Sequence, residues 1–595
     1  MHSVLVANRG EVAVRVIRAC RELGLRSVAV HSDADAGALH VRLADEAHRI
    51  GPAPARQSYL DIDAVLAAAR AGGVDAVHPG YGLLSEDATF ATAIRDAGLV
   101  FVGPDPDVIA TMGDKVAARA LARRCGVAVV PGSDGAVEAT DAVAAAERIG
   151  YPLVVKAAFG GGGRGMRVVT AAGQLVGALQ QAGREAGAAF GRGEVHLERY
   201  LECPRHIEVQ LLADSHGSVV HLGDRDCSVQ RRHQKLIEEA PAPGLDPELR
   251  AALHGAAVRI ATEVGYRGAG TVEFLVLPGT GEYFFLETNT RLQVEHGVTE
   301  LVTGIDIVTT QLRVAAGEPL GLYQHDVAVR GHALQARLAA EDPWDGFRPS
   351  PGTVGALHPP LGPWLRCDLG VEGGDAVPAA YDSMFGKVLA WGPTRDSARH
   401  RLGCALDELR VDGIATTAPY LRSVLDRPEF ITSTHDTGSV ERDWPPDPTA
   451  RPAAGIAGTG EGRPVRRVRL ATDHGPVEVA VYGRRPPGAS TTSATAYRPD
   501  GPQRRADPEP AAARPEPDTP TAVAPMDATV VAVPVAPGDP VRTGDVLVVL
   551  EAMKMEMPVL AMRDGVVAEV FVSGGEPVGA GARMVTLADP GGQRR

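Results

Sequence analysis

The sequence has few cysteines, no long basic run and no long apolar run, and each absence argues against a class of protein. The six cysteines show no C-x-x-C pair or zinc-like spacing, so we expect reduced, buried thiols and no disulfide or zinc site. Without a basic stripe, and with a formal net charge of -14, no nucleic-acid partner is expected. Because no apolar run approaches the roughly 18 residues that span a bilayer, and residues 1–7 lack the features of a signal peptide, we predict a cytoplasmic protein with no membrane partner.

The length and composition indicate several folded domains. A chain of 595 residues exceeds the roughly 250–300 residues at which a single core stops growing, and its apolar and charged fractions are those of globular proteins. Short apolar runs alternate with helix-like stretches from residue 3 to residue 102, which predicts a parallel, doubly wound sheet of the Rossmann-like class. The strands predicted there are residues 4–7, 27–31 and 74–78, and the helices are residues 11–23 and 60–71.

The rest of the chain divides by composition. Longer strand pairs at residues 151–157 and 166–169, mixed with helices, predict an α+β domain, and strand and helix signals continue to residue 443. Residues 444–464 and 485–525 are rich in Pro, Gly, Ala, Ser and Thr and are predicted to be linkers. The predicted segments are an N-terminal domain at 1–112, a second domain at 113–329, a third at 330–443, a linker at 444–522 with a β-hairpin at 465–482, and a C-terminal domain at 523–588.

The C-terminal segment contains an internal repeat. The run G-D-P-V at residues 538–541 returns as G-E-P-V at residues 575–578, and each is followed by a glycine at the same spacing. Two equal halves of short β-branched strands separated by Gly and Pro predict a small, two-fold-symmetric, all-β domain.

Between the two halves lies the run E-A-M-K-M-E at residues 551–556, with Lys554 at its centre. An ordinary exposed lysine is the alternative, but two methionines beside it on an exposed turn are costly unless a partner recognises them. The tetrapeptide A-M-K-M resembles the biotin attachment site of biotin carboxyl carrier domains. That resemblance implies covalent biotin on Lys554, attached by a biotin protein ligase. The chain departs from the usual Met-Pro-Gly-like turn of these domains at residues 526–528, where it reads M-D-A.

A glycine-rich run follows Lys156, which lies on a predicted strand. Another strand follows the run, which argues against a dinucleotide-binding turn, because that turn leads into a helix. The run also lacks Gly-Lys-Ser/Thr, so it is not a Walker P-loop. The remaining alternatives are a flap that folds over phosphates and a flexible surface turn. Together with G-D-K at residues 113–115, the arrangement resembles the ATP-grasp ligases. The resemblance implies that Lys115 and Lys156 neutralise the phosphates of ATP beneath the flap. The other nucleotide-binding residues that it implies are Gly162, Gly163, Glu198, Leu201, His206, Gln230 and His233.

Two carboxylates on neighbouring predicted strands form a candidate metal site. Glu273 and Glu287 lie beside aromatic residues, with Asn289 close by in sequence. Mg²⁺ (or Mn²⁺) prefers oxygen ligands of this kind and shares them with substrate phosphates. A buried salt bridge is the alternative, because Glu is rarely buried without a partner.

Three further runs resemble the biotin carboxylases. They are A-N-R-G-E-V-A at 7–13, R-D-C-S-V-Q-R-R-H-Q-K at 225–235 and N-T-R-L-Q-V-E-H at 289–296. The resemblance covers about residues 1–443 and 523–588 and is to the alpha chain of acyl-CoA carboxylases. It differs at Gly297, where the family usually has proline, and at Gln335, where an acidic residue is common.

The resemblance implies a reaction and the residues that perform it. Bicarbonate is held by Arg291, with assistance from Lys235 and the Val294 N–H. Glu295 removes its proton, so that bicarbonate attacks the γ-phosphate of ATP and forms carboxyphosphate. Arg337 stabilises the enolate oxygen of biotin when the ureido nitrogen is deprotonated.

Two other functions are considered. Another ATP-grasp ligase, such as a carboxylate–amine ligase, leaves Lys554 and the 289–296 run unexplained. A carrier with an inactive ligase part conflicts with the full set of predicted catalytic side chains. Because residues 444–522 are too short for a carboxyltransferase, the chain is expected to work in a multi-subunit assembly. There a separate carboxyltransferase (beta) subunit transfers the carboxyl group to an acyl-CoA such as acetyl-CoA or propionyl-CoA.

Overall fold

The structure is a computed structural model that describes residues 1–133, 135–137, 139–157, 166–190, 193–451, 466–472, 475–481, 521–553 and 555–588. The chain divides into two compact units, Met1–Pro452 and Ala453–Arg595. In the described residues no helix is long and apolar enough to cross a bilayer. All six cysteines are free, but Cys203 and Cys404 are exposed, so the expectation of buried thiols is wrong for these two.

The N-terminal region is built on the predicted parallel sheet, in the strand order β3-β2-β1-β4-β5. The central residues of β1 and β2, at 4–6 and 28–30, are apolar and buried on both faces, because helices pack on each side of the sheet. Helix α3 begins two residues later than predicted, because Asp61 caps it by accepting a hydrogen bond from the Ala64 N–H. The elements are β1 Ser3–Val6, α1 Gly10–Glu22, β2 Arg26–Ser32, α2 Leu39–Leu43, β3 Glu46–Gly51, α3 Ile62–Ala71, β4 Ala76–His78, α4 Ala88–Asp96, β5 Val100–Phe101 and α5 Pro106–Gly113.

The second region contains a small sheet, β7-β6-β8, and most of an eight-stranded antiparallel sheet. The order in the large sheet is β13-β12-β9-β10-β11-β14-β21-β19. The elements are α6 Lys115–Arg124, α7 Ala139–Ile149, β6 Leu153–Ala157, β7 Arg167–Val169, α8 Leu175–Phe190, β8 Val195–Arg199, β9 Arg205–Ala213, β10 Val219–Arg231, β11 Gln234–Ala240, α9 Pro247–Glu263, β12 Gly268–Val276, β13 Tyr283–Asn289, α10 His296–Thr303 and α11 Ile307–Ala315.

The third region completes the large sheet, because β14 pairs with β11 and places β21 and β19 beyond it. This continuity brings side chains that are about a hundred residues apart in sequence onto one face. The elements are β14 His332–Ala339, β15 Glu341–Asp342, β16 Arg348–Pro349, β17 Gly352–Thr353, β18 Leu357–His358, β19 Leu365–Leu369, β20 Ala376–Val377, β21 Met384–Gly392, α12 Arg395–Glu408, β22 Arg410–Val411, α13 Ala418–Val424, α14 Pro428–Ile431 and α15 Ser439–Arg442.

The second unit contains an antiparallel strand pair, β23 Arg466–Thr472 with β24 Gly475–Val481, and the small all-β domain that the repeat predicts. That domain has two four-stranded sheets, β25-β32-β30-β27 and β29-β28-β26-β31. Each half contributes a short strand to the other half's sheet, since β31 pairs with β26 and β27 pairs with β30. The elements are β25 Thr521–Val523, β26 Ala528–Ala532, β27 Pro540–Val541, β28 Val546–Ala552, β29 Met555–Leu560, β30 Gly565–Val570, β31 Pro577–Val578 and β32 Arg583–Ala588.

Candidate active site

Three carboxylates lie side by side on the large sheet. Glu273 of β12 is directly opposite Glu287 of β13 and directly opposite Glu208 of β9. Residues at paired positions project from the same face of a sheet, so the strand register alone brings these acids together. Glu208 was not predicted as a site residue, because the sequence does not reveal which strand pairs with β12.

Glu273 is the most heavily bonded of the three. Its carboxylate accepts hydrogen bonds from His206 Nε2 at 2.7 Å, Asn289 Nδ2 at 2.7 Å, Lys235 Nζ at 3.1 Å and Gln293 Nε2 at 3.1 Å. Burial by itself would raise the pKa of Glu273, but the charges of Lys235 and His206 hold it well below its usual value. Glu273 is therefore ionised throughout the neutral range.

Glu287 has a different environment. Its side chain is accessible to solvent, but it lies in a cleft where neighbouring protein atoms replace much of the surrounding water. This desolvation and the neighbouring Glu273 carboxylate raise the pKa of Glu287, while the charge of Lys115 opposes the effect. Two carboxylates that repel each other in an accessible cleft fit a hard divalent cation, which would neutralise both. The predicted metal residues are thus brought together, and Asn289 joins them through its hydrogen bond to Glu273.

Lys235 is buried among three acids. Its ammonium donates hydrogen bonds to Glu208 at 2.6 Å, to Glu295 at 2.7 Å and to Glu273 at 3.1 Å. Desolvation opposes the charged form, but these carboxylates raise the pKa of Lys235 well above its usual value. Lys235 lies opposite Gln230 across the turn of a hairpin whose two turn residues, Arg232 and His233, both have positive φ angles. This is the two-residue turn that returns a strand directly onto its partner.

Glu295 is fully buried between two cations. Lys235 donates to one of its oxygens at 2.7 Å, and Arg337 Nη2 donates to the other at 2.9 Å. Desolvation would raise the pKa of Glu295, but Lys235, Arg337 and Arg225 hold it well below its usual value. Arg337 also donates to Glu238, whose own pKa is raised by burial.

Glu238 was missed by sequence reasoning. It lies on β11 opposite Gln335 of β14, and the Gln335 amide donates to it at 3.0 Å. Gln335 occupies the position at which the family commonly has an acid. The amide removes one negative charge from a cluster that already holds Glu238 and Glu295, and it supplies a hydrogen bond instead.

Arg291 projects from the loop after β13 and uses every edge of its guanidinium. Nε donates to Glu86 at 2.8 Å, Nη2 to Asn289 at 2.8 Å, and Nη1 to Gln293 Oε1 at 3.0 Å. Glu86 also accepts a hydrogen bond from the Thr290 N–H at 3.0 Å. Sequence reasoning missed Glu86 because it precedes Arg291 by about two hundred residues.

The predicted nucleotide residues form a second group. Lys156 of β6 donates to Glu198 of β8 at 2.5 Å, and Arg119 of α6 binds the same carboxylate. Burial opposes ionisation, yet His196, Lys156 and Arg119 lower the pKa of Glu198. Leu201 packs in an apolar cluster with Val130 and Phe284. Arg119 was not predicted as a site residue.

Lys115 is the first residue of α6, where Asp114 caps the helix by accepting hydrogen bonds from Val116 N and Ala117 N. The G-D-K run therefore places the lysine at a helix N-terminus, near Glu287. His206 lies farther inside, against Glu273, and His233 is exposed in the hairpin turn. Gly162, Gly163 and Lys554 are outside the described residues.

The residue before Lys554 differs from expectation. Met553 was expected to be exposed beside the lysine, but its side chain is 4% accessible. Its backbone adopts a φ of 51°, in the left-handed region. This is uncommon for a residue with a Cβ and marks a tight, specified turn. Met553 therefore belongs to the core of the domain, and its burial anchors the turn.

Four family models match the chain. They are described as biotin carboxylase, N-terminal domain, at residues 1–109; carbamoyl-phosphate synthase L chain, ATP binding domain, at 114–323; biotin carboxylase C-terminal domain, at 335–442; and biotin-requiring enzyme, at 518–587.

Curated relatives match at high identity. A biotin carboxylase of Pseudomonas aeruginosa is 54% identical over 418 residues, which are 70% of this chain and 92% of that protein. A biotin-dependent acyl-coenzyme A carboxylase alpha3 subunit of Mycobacterium leprae is 46% identical over 595 residues, covering 98% of each chain.

Solved structures of biotin carboxylases also match this chain. A biotin carboxylase complex with β,γ-ATP from Campylobacter jejuni is 45% identical with a TM-score of 0.71, and the match covers 74% of this chain and 98% of that one. The biotin carboxylase domain of the Hydrogenobacter thermophilus 2-oxoglutarate carboxylase, in complex with MgADP, ADP and bicarbonate, is 43% identical with a TM-score of 0.71, covering 74% and 97%. The chain therefore belongs to the biotin carboxylase family: it is an ATP-dependent biotin carboxylase with a fused biotin carrier domain, similar over nearly its whole length to an acyl-CoA carboxylase alpha subunit.

Proposed function

We propose that this chain uses ATP and bicarbonate to carboxylate biotin on its own Lys554, and that a separate carboxyltransferase subunit then transfers the carboxyl group to acetyl-CoA or propionyl-CoA. The observation that carries the proposal is the position of Glu295. Its buried carboxylate is held between Lys235 and Arg337, and Arg291 lies four residues before it on the same segment. An anion site, a base and a candidate metal site thus converge on one sheet face.

The metal and ATP would occupy neighbouring sites. Glu273 and Glu287, with Asn289, would hold Mg²⁺ or Mn²⁺, which when bound neutralises phosphate charge and aligns the γ-phosphate. Lys115 and Lys156 would bind the phosphates, and Gly162 and Gly163 are assigned to the same phosphate contacts. Lys156 is paired with Glu198 at 2.5 Å, so its ammonium has to turn from Glu198 when phosphate arrives. The remaining nucleotide contacts are assigned to Glu198, Leu201, His206, Gln230 and His233.

The electrostatics of Glu295 explain how a weak base becomes effective. Lys235 and Arg337 keep its pKa well below its usual value before substrate binds. Bicarbonate, bound by Arg291 and the Val294 N–H, competes for Lys235 and withdraws positive charge from Glu295. The pKa of Glu295 then rises toward the value that suits a general base. The base is thereby activated by the substrate that it deprotonates.

The reaction balances without further reactants. Glu295 takes the proton of bicarbonate, and the bicarbonate oxygen attacks the γ-phosphorus, so that ADP leaves and carboxyphosphate forms. Carboxyphosphate divides into CO₂ and phosphate, and the phosphate accepts the ureido proton of biotin. The deprotonated ureido nitrogen then attacks CO₂ and forms carboxybiotin, and Glu295 loses its proton to solvent. Arg337 is the cation that would bind the ureido oxygen during this step.

The partners are inferred from the chain and from its relatives. The Mycobacterium leprae relative, named an acyl-coenzyme A carboxylase alpha subunit, aligns with 98% of this chain. Residues 444–522 are too short to supply a carboxyltransferase, so a beta subunit in a multi-subunit assembly is expected to do so. A biotin protein ligase would modify Lys554. We also infer a cytoplasmic location, which cell fractionation with an antibody against the chain would test.

The test is phosphate release from ATP by the purified chain with free biotin and bicarbonate, combined with the intact mass of the protein. We expect hydrolysis that requires bicarbonate and biotin and is lost in Arg291→Ala. A biotin-sized mass increase should be present in the wild type and absent from Lys554→Arg, which serves as the matched control because it keeps the positive charge. Wild-type protein without biotin, produced in cells with an active biotin protein ligase, would contradict the proposal.

A further inference from the structure

The A-N-R-G-E-V-A run at residues 7–13 has no role in the chemistry described above, although Glu11 within it makes an unusual contact. Glu11 lies in the first turn of α1, and its carboxylate is paired at 3.1 Å with the ammonium of Lys387 of β21. The side chains are 1% and 0% accessible. A fully buried lysine and glutamate carry a large desolvation cost, so the pair needs a reason beyond stability.

The second bond of Lys387 indicates that reason. Its ammonium also donates to the backbone carbonyl of Val294 at 2.6 Å, which is shorter than its hydrogen bond to Glu11 and its 3.8 Å contact with Asp368. That carbonyl belongs to the peptide that joins Val294 to Glu295, the residue assigned as the base. Lys387 is also directly opposite Arg337 across β14 and β21. The lysine is therefore adjacent to the cation assigned to biotin and bonded to the backbone that carries the base.

A second anchor holds the preceding residue of the same segment. His296 Nδ1 is 2.7 Å from the carbonyl of Gln293, and the ring is fully buried. Burial and the charges of Lys387, Arg366 and Arg15 keep the pKa of His296 well below its usual value, so the neutral ring donates this bond. The Gln293 carbonyl is thus held by a residue of the same segment, whereas the Val294 carbonyl is held by Lys387 of strand β21.

The run at 7–13 also holds the loop beside this segment. The Asn8 amide donates to the carbonyls of Pro79 at 2.6 Å and Tyr81 at 2.8 Å, and the Tyr81 hydroxyl donates to Glu11. Gly80 packs on Asn8 so closely that a Cβ would lie 2.8 Å from the amide nitrogen, and its φ is +65°. Only glycine fits this position.

We propose that Glu11 and Lys387 are positioning residues that set the Val294–Glu295 peptide, and through it the bicarbonate-binding N–H and the base. The pair links the N-terminal region, the 291–296 segment and strand β21 at one buried point. Glu11 orients Lys387, and Lys387 orients the peptide. This inference rests on the function proposed for Glu295 and Val294.

The decisive variant is the double substitution Glu11→Gln and Lys387→Met, which leaves no unpaired charge in the core. It removes the donor to the Val294 carbonyl and should displace the peptide. A misplacement of about 1 Å costs on the order of 100-fold in rate, so we expect kcat/KM for bicarbonate to fall by about 10- to 100-fold. The KM for ATP should stay within about two-fold, because the nucleotide residues do not contact the pair.

The matched control is Glu239→Gln with Arg395→Met. This pair is mostly buried, with side chains 2% and 13% accessible and bonds of 2.6 and 3.0 Å, and it joins β11 to α12. Thermal unfolding should shift in both double variants, but the bicarbonate kinetics should change only in the first. If both keep wild-type kinetics for bicarbonate, the pair is merely structural and the inference is overturned.

Two further results separate the possible failures. If the Glu11/Lys387 double variant does not fold, the single variant Glu11→Gln tests the positioning role instead. This variant retains the Lys387 donor, so its kcat/KM for bicarbonate is expected to fall, but by less than in the double variant. A wild-type chain without bicarbonate- and biotin-dependent hydrolysis would refute the proposed function itself. Wild-type activity with unaltered bicarbonate kinetics in Glu11→Gln and in the double variant would refute only the positioning role.

Discussion

Replacing Glu238 with glutamine tests the electrostatic account of the base. Glu238 and Glu295 bind the same guanidinium, that of Arg337. The substitution removes a negative charge that repels the Glu295 carboxylate, and it leaves Glu295 as the only one of the two side chains that pairs its charge with Arg337. Both effects lower the pKa of Glu295 further and make it a weaker base.

The magnitude follows from the geometry. The two carboxylates accept hydrogen bonds from Nε and Nη2 of one guanidinium, and for charges on the order of 5 Å apart an effective dielectric constant of about 20 gives an interaction near 3 kcal/mol. The positive charge of Arg337 screens this repulsion, so only a part of it, on the order of 1 kcal/mol, is expected to act on Glu295. For a general base this predicts a 3- to 10-fold lower plateau in kcat/KM for bicarbonate.

The assay is the pH profile of ATP hydrolysis with free biotin, bicarbonate being varied at each pH. The acid limb should move to lower pH in Glu238→Gln, since the pKa of the base is lower. Stability should change little, because burial already raises the pKa of Glu238 and glutamine can still accept the Arg337 hydrogen bond.

Glu239→Gln is the matched control. It changes the next residue of β11, whose carboxylate is bound by Arg395, and should cost stability without moving the pH profile. An unchanged plateau and acid limb in Glu238→Gln would refute the reasoning. So would a shift of the acid limb to higher pH.

Three other predictions follow from the site. Because desolvation and Glu273 raise the pKa of Glu287, Mg²⁺ should raise the unfolding temperature of the wild type more at about pH 8 than in mildly acidic buffer, where more of Glu287 is protonated. In Glu287→Gln the Mg²⁺ effect and its pH dependence should largely disappear, and a full effect there would exclude Glu287 as a ligand. Gln335→Glu places a carboxylate where the amide now donates to Glu238 at 3.0 Å, so the free energy of unfolding measured with denaturant should fall by about 1–3 kcal/mol. The decrease should be greater at high pH, since protonation relieves the repulsion, and a decrease that is independent of pH would contradict this. Gly297→Ala puts a Cβ 2.6 Å from Leu389 Cδ2 and should lower the free energy of unfolding by about 1–3 kcal/mol. A part of this loss should be absent when the same substitution is made in a Leu389→Ala background. If Gly297→Ala alone leaves the stability unchanged, Leu389 moves freely.

The Gly297 contact also explains a departure from the family. Proline is usual at this position, but the Leu389 side chain occupies the space in which a Cβ would lie. The glycine and the leucine are therefore complementary, and the helix α10 begins at His296 without proline. The sequence alone showed that Gly297 differs from the usual proline but gave no reason, because the contacting residue, Leu389, lies about ninety residues away in the chain.

Local sequence determined much of this protein. The alternation of apolar runs and helices in residues 3–102 predicts the parallel sheet, and the repeated G-x-P-V runs predict the symmetric all-β domain, because both patterns are properties of short segments. The runs at 225–235 and 289–296 resemble the biotin carboxylases, and this resemblance identified Lys235, Arg291 and Glu295 as candidate site residues.

Tertiary structure decided the partners of those residues. Glu86, Glu208, Glu238 and Lys387 reach the site only through strand register and loop packing. Their bonds to Arg291, Lys235, Arg337 and Val294 join residues that are between 27 and 205 positions apart in sequence. Met553 is buried and adopts a left-handed backbone conformation, neither of which its local sequence predicted. Charge is the physical reason: a buried carboxylate or ammonium takes its pKa from whatever lies within a few ångströms, and only the folded chain sets those distances.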